Sequence, residues 1–275
     1  MIKIYHKLKG YKVSLDDWLL SNQIISGQSH YQKFIILTRA RTGSNFLAGL
    51  LQSHTGVRAF EEIFPKREDR LHWGYKNYPK AADILRVREE RPLEFLDKFV
   101  FRQFPFSVSA VGFKIFYNQA QAGQKQQIWQ YLRQNKEIKI IHLKRRNLLR
   151  VCLSHHLATA TNQWVLKDEA HRKDHDKVAL GFQDCLKLFE ETKEWEEEYD
   201  RFFDGHPKLE VSYEDLVNKT AAESKRLQSF LEVKFQRLKS STLQQNRSLL
   251  AETIENYNEL KDKFKDTPWR VYFDE

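Results

Sequence analysis

Phe34-Ile35-Ile36-Leu37 is an unbroken apolar run that ends in a polar, Gly-containing stretch, and Phe46-Leu47-Ala48-Gly49-Leu50-Leu51 then resumes with helical spacing. The pattern predicts strand, loop, helix. A second β-like run, Ala110-Val111-Gly112-Phe113-Lys114-Ile115-Phe116, precedes a polar, Gln-rich segment that reads as helix through Leu132. A third, Ile138-Lys139-Ile140-Ile141-His142-Leu143, leads into Arg145-Arg146-Asn147 and a helix from about Leu149. Further on, residues 163–203 read as one long charged helical region, residues 209–213 as a short strand and residues 214–231 as another helix. Strands alternating with helices predict an α/β fold with a parallel sheet flanked by helices on both faces.

Between the first two strands lies a charged and aromatic insertion, about residues 65–106, with its own helix around 92–99. It reads as a helical cap on the sheet. The last segment, from Asn256 onward, carries Trp269 and Tyr272 and reads as a docked tail. Neither repeats nor a low-complexity linker interrupt the chain, so one domain over residues 1–275 is expected.

Composition adds little to the fold but narrows the partners. The chain has 275 residues with 46 Lys plus Arg against 37 Asp plus Glu, a formal net charge of +9, so anionic partners are favoured. The two cysteines, Cys152 and Cys185, are too few for a disulfide framework or a Cys-based zinc site, which makes a reducing compartment the default. The opening residues 1–9 never become a continuous apolar run, and no stretch of about 18 apolar residues occurs. No transmembrane segment and no classical secretion signal are therefore expected, and the location is read as cytoplasmic.

The first loop, Thr38-Arg39-Ala40-Arg41-Thr42-Gly43-Ser44-Asn45-Phe46-Leu47, holds the ingredients of an anion site: a strand end, a glycine, hydroxyls, two arginines and a helix N-terminus. It lacks the Gly-x-x-x-x-Gly-Lys spacing of a nucleotide triphosphatase, and no Gly-x-Gly-x-x-Gly is present. The second element is Lys144-Arg145-Arg146-Asn147-Leu148-Leu149-Arg150-Val151-Cys152-Leu153-Ser154. There an Arg leaving a strand, Arg146, and a Ser two helical turns on, Ser154, are spaced to converge on one phosphate. Each loop follows an apolar strand at the carboxyl edge of the expected sheet, where open α/β folds bind ligands.

These two segments resemble the 5′-phosphosulfate loop and the 3′-phosphate motif of sulfotransferases that use 3′-phosphoadenosine 5′-phosphosulfate (PAPS), in particular the bacterial trehalose and Nod-factor type. Phe60-Glu61-Glu62-Ile63-Phe64 resembles the acidic segment that supplies their base, and Gly112 to Gln119 their lysine-bearing strand. Gln244-Gln245-Asn246-Arg247 through Leu260 is similar to their C-terminal cofactor-side segment. The sequence departs from the commoner pattern at Ala40, Thr42 and Asn45.

The resemblance implies the P-loop-like sulfotransferase fold, PAPS as donor with PAP (its desulfated form) as product, and a carbohydrate or glycolipid acceptor. It implies a donor site of Arg39, Arg41, Thr42, Gly43, Ser44, Asn45, Phe46, Arg146, Ser154 and Arg247. Glu62 is the implied base with Glu61 as runner-up, and Lys114 and Arg41 would stabilise the leaving oxygen without a metal. The bland fate of both carboxylates is surface pairing with Arg58 or Lys66.

No histidine stands beside Lys114; His142 reads as a core residue, and His155 and His156 as packing or lining groups. His171 and His175, though one turn apart, lack the further ligands of a zinc site. Aromatic faces suited to sugar rings are Trp73, Tyr75, Tyr78 and Trp164, with cap packing the competing role. Two other readings, a basic nucleic-acid-binding protein and a nucleotide-dependent kinase of P-loop-like fold, lack a recognisable motif and a P-loop lysine respectively. A homodimer stays open.

Overall fold

The computed structural model describes residues 15, 19–20, 22–67, 69–75, 78, 81–166, 168, 170, 177–240, 242 and 248–274. Seven strands occur among them: β1 (Gly27–Gln28), β2 (Gln32–Thr38), β3 (Val57–Glu62), β4 (Phe104–Pro105), β5 (Ala110–Phe116), β6 (Lys139–Lys144) and β7 (Lys208–Ser212). Five form a parallel sheet in the order β3-β5-β2-β6-β7, and β1 pairs with β4 antiparallel. Helices α1 (Ser44–Ser53), α2 (Ala82–Glu90) and α3 (Pro92–Phe95) follow, α3 running into a π-helical turn, Leu96–Val100. Then come α4 (Gln127–Gln134), α5 (Leu148–Thr161), α6 (Phe182–Phe202), α7 (Tyr213–Asn218), α8 (Thr220–Phe230), α9 (Leu250–Thr253) and α10 (Tyr257–Lys263).

The central strand explains the layering. Phe34, Ile35, Ile36 and Leu37 are all fully buried, as a strand covered on both faces requires. Side chains alternate across a strand, so Phe34 and Ile36 pack with Leu47, Leu50 and Leu227 on one face. Ile35 and Leu37 face the other way, onto Phe113, Ile140 and the aromatics of the insertion. A third cluster joins α5 and α6 to Phe264, Tyr272 and Phe273, so the tail is docked. No helix of the described residues is long and apolar enough to cross a membrane.

The described residues of 65–106 pack on the sheet, with Trp73, Tyr75, Phe95 and Leu96 buried inside the second face's core. Trp73 meets Phe60 edge-on at 5.2 Å and stacks on Phe95 at 5.7 Å, so these rings are committed to each other. Two expectations need correction. The long helix begins only at Phe182: Asn162, left-handed at φ 51°, ends α5, and residues 162–166 are not helical. The fifth sheet strand, β3, has no counterpart in the apolar pattern, since Val57-Arg58-Ala59-Phe60-Glu61-Glu62 carries three charges among its six residues.

Candidate active site

The loop after β2 is shaped by two left-handed residues, Arg41 at φ 71° and Gly43 at φ 86°. Glycine adopts that conformation freely, and here it has a second reason: a Cβ on Gly43 would lie 2.2 Å from the Tyr213 ring. Thr42 is buried, its hydroxyl 2.6 Å from that of Thr38 and 2.8 Å from the Arg39 carbonyl. Thr38 in turn donates to the Leu143 carbonyl, which fixes the base of the loop to β6. No side chain caps α1, so its first backbone N–H groups are available to an anion.

A cleft of about 740 Å³ opens at this carboxyl edge of the sheet. Arg41, Gly43, Ser44, Asn45 and Phe46 form one wall, and Arg145, Arg150 and Ser154 continue it along α5. Glu61, Glu62, Arg70 and His72 also line the cleft, as do the exposed Trp164 and Val165. Arg41 donates from Nε to the Ser154 hydroxyl at 3.0 Å and from Nη1 to the Trp164 carbonyl at 2.7 Å. Burial, and then the neighbouring Arg145 cation, bring the Arg41 guanidinium down to about 10.

Lys114 is nearly enclosed, 1% exposed, between two partners. Its Nζ lies 3.2 Å from Glu62 Oε1 and donates to Asn45 Oδ1 at 2.5 Å. Gln119 donates to the other Glu62 oxygen at 3.1 Å. The register of the sheet produces this arrangement: pairing of β3 with β5 slips between Phe60 and Glu62, so that Glu62 stands opposite Lys114 and Glu61 does not. Glu62 thus pairs inside the cleft, and neither Arg58 nor Lys66 is its partner. Arg58 instead donates to the backbone carbonyls of Thr55 and Val57.

Two other arginines expected in the donor site point elsewhere. Arg39 donates to Thr192 at 2.9 Å, approaches Glu191 at 3.6 Å and lies over the Trp195 ring at 4.9 Å, bracing the loop against α6. Arg146 reaches outward to Asp215 at 2.8 Å, and its backbone N–H donates to Glu214. That contact, with those of Ser212 and Lys219, holds the Asp215 carboxyl well below the usual carboxylate range. The cations that reach the cleft from this segment are Arg145 and Arg150. Arg150 is detectable in the sequence, because it lies one helical turn before Ser154 and shares its face. Arg145 stacks at 4.5 Å over Tyr213, a residue no local pattern singles out. Arg247 lies outside the described residues, as do His171 and His175.

His142 is fully buried, within 2.6 Å of the Tyr117 hydroxyl and 3.0 Å of Asp200, which makes it the core residue expected. His155 and His156 are exposed on α5, the former edge-on to Trp164 at 6.1 Å. Among the described residues no group of three or more His, Cys, Asp or Glu could hold a metal ion. Of the aromatic faces considered for sugar stacking, Trp73, Tyr75 and Tyr78 are buried and Trp164 is exposed at the cleft.

Comparison with known proteins bears on this site. Nodulation protein H of Rhizobium tropici is 27% identical over 248 residues, covering 88% of this chain and 93% of that protein. Nodulation protein H of Rhizobium meliloti (strain 1021) is 25% identical over 248 residues, 88% of this chain and 95% of its own. The crystal structure of a sulfotransferase from Alicyclobacillus acidocaldarius aligns with a TM-score of 0.45 at 12% identity, covering 88% of this chain and 94% of that one. A model of the sulfotransferase family matches residues 34–237. That span runs unbroken from β2 through the first loop, the Glu62 and Lys114 strands and the α5 segment, and it makes the chain a member of the sulfotransferase family.

Proposed function

We propose that this sulfotransferase moves a sulfuryl group from PAPS to a hydroxyl of a carbohydrate or glycolipid acceptor, by in-line transfer, without a metal and in the cytoplasm. The observation that carries the reading is the chain Gln119, Glu62, Lys114, Asn45, which puts a carboxylate and a buried ammonium side by side at the cleft. The cleft suits a polyanionic nucleotide: its volume is in the range of nucleotide-sized sites, and cations line the wall that carries the α1 N-terminus. Arg41 and the first turn of α1 would hold the 5′-phosphosulfate, and Ser154 with Arg145 and Arg150 the 3′-phosphate. Arg146 stays with Asp215 in this assignment.

PAPS supplies the sulfuryl group, on a phosphate that becomes the 5′-phosphate of PAP. Glu62 takes the proton of the attacking hydroxyl, and Gln119 fixes the orientation of its carboxylate. Lys114 and Arg41 stabilise the charge that develops on the leaving oxygen, in a setting where burial strengthens the effect. The acceptor class rests on the likeness to the Nod-factor type and on the nodulation proteins among the relatives. Trp164, exposed at the cleft, offers a flat apolar face to a sugar ring.

Thermal shift with PAP and with ATP plus Mg²⁺ tests the donor, because a ligand stabilises only the fold that binds it. PAP is expected to raise the Tm more than ATP does. Equal shifts would remove the 3′-phosphate assignment. Transfer of labelled sulfate from PAPS to a panel of neutral oligosaccharides, glycolipids and phenols then tests the acceptor, with label expected on the sugars.

A further inference from the structure

The catalytic reading leaves both cysteines unused, yet the fold brings them together from positions 33 residues apart: Cys152 Sγ lies 3.2 Å from Cys185 Sγ. Cys152 sits on α5 and Cys185 on the first turn of α6, both within the third core cluster. We infer that Cys152 and Cys185 form a redox modification site, at which a peroxide closes an intramolecular disulfide that a thiol reductant reopens.

Geometry meets the requirement. A disulfide needs the sulfurs at about 2.05 Å, so the pair has to close by only about 1.2 Å. Cys185 is fully enclosed and Cys152 is 8% exposed, while the next two residues, Leu153 and Ser154, line the cleft. A molecule as small as hydrogen peroxide therefore approaches from the Cys152 side. The surroundings distinguish the two sulfurs. The hydrogen bond shared with Cys185, with the Arg39 cation nearby, holds the Cys152 thiol below its ordinary value, against burial and Asp184. The same shared hydrogen bond and burial push Cys185 up. Cys152, the one of the two with any exposure and with the Arg39 cation nearby, is the nucleophile and Cys185 the resolving thiol.

In the first step the Cys152 thiolate attacks one peroxide oxygen. An S–O bond forms, the O–O bond breaks, and the departing hydroxide takes up the proton that Cys152 gave away, leaving water and a sulfenic acid. Cys185 sulfur then attacks Cys152 sulfur; the S–S bond forms, the S–O bond breaks, and hydroxide leaves as water with the Cys185 proton. Two thiols are oxidised by two electrons in all, and one peroxide is reduced to two waters. The new bond ties α5, which carries Ser154, to α6, whose Thr192 and Glu191 hold Arg39.

The experiment treats the full chain with hydrogen peroxide and follows intact mass. The expected product is a monomer lighter by two hydrogen atoms, restored by dithiothreitol, with a raised Tm because closing the loop restricts the unfolded chain. Cys185→Ser is expected to stop at a dimedone-reactive sulfenic acid on Cys152, whereas Cys152→Ser leaves Cys185 unmodified. An unchanged mass, with both thiols alkylated once the protein is denatured, overturns the proposal, as does a disulfide between chains. Dimedone capture at Cys185 overturns the assignment of roles. The mass of the wild type decides the matter even if a serine variant fails to fold, and none of these readouts depends on PAPS.

Discussion

The two oxygens of Glu62 are already divided between Lys114 and Gln119, so the carboxylate is held in place before any acceptor arrives. Glu62→Gln keeps that shape and removes the basicity. It should lower kcat by roughly 10²–10⁴-fold while leaving the PAP-induced Tm shift nearly intact. Glu61→Gln, off the Lys114 register, should do much less; a larger loss from Glu61 would reassign the base. The arginines of the α5 segment offer a second test at this scale. Arg150→Ala is expected to weaken PAP binding by roughly 1.5–3 kcal/mol, the worth of charge-assisted hydrogen bonds. Arg146→Ala should cost less, and the reverse order in a PAP titration would return the phosphate to Arg146. The spacing of Arg146 and Ser154 is plain in the sequence. Its outcome is not, because it is set by Glu214 and Asp215, on a helix 68 and 69 positions downstream.

Among the elements, those whose apolar pattern is continuous are readable, and β3, whose pattern is broken by charge, is not. β2, β5 and β6 are apolar enough to be found without the structure, and they locate the loop, the lysine and the edge where the cleft opens. β3 hides its strand character behind Arg58, Glu61 and Glu62, and its slip against β5 is a property of two strands jointly. The aromatics at 73, 75 and 78 look alike whether they serve a ligand or a core, until Phe60 and Phe95 are seen against them. Gly43, by contrast, is legible as the loop's glycine, though its contact with Tyr213 is not. Gly43→Ala strains a left-handed residue, a cost of about 1–2 kcal/mol, and drives a methyl into that ring. Lower Tm and a lost PAP response are expected. Adding Tyr213→Ala should recover the steric share of the Tm loss and leave the share due to φ; a double variant no more stable than the single one would mean the ring is not the obstacle.

Across the whole molecule, one network centred on the buried His142 ties the sheet to α6 and makes stability depend on pH. His142 of β6 meets Asp200 of α6, and Asp200 also receives Lys144 at 2.8 Å and, from β7, Lys208 at 2.9 Å. Burial, foremost, holds His142 below its ordinary value, so the unfolded chain accepts a proton near pH 6.5 that the folded chain refuses. Stability therefore falls as the pH drops from about 6.5 toward the lower folded value. The Asp200 carboxyl is held far below its usual range, first by the His142 hydrogen bond and then by the two lysines. Its contribution is complete above about pH 4 and is lost as the pH falls from there toward the folded value. Both groups thus act in the same direction, in successive windows. His142→Gln, which can still donate to Asp200 but does not titrate, should lower the Tm at neutral pH for lack of fit. It should also flatten the fall in Tm between about pH 7 and 5 relative to the wild type. Asp200→Asn should leave most of that fall and remove the steeper loss below about pH 4. Thermal melts of the three proteins across the range check both limbs, and a slope for His142→Gln equal to that of the wild type would move the proton uptake to another group, with His155 on α5, which partial desolvation and then the nearby Arg39 and Arg41 cations hold below its ordinary value, the first to examine.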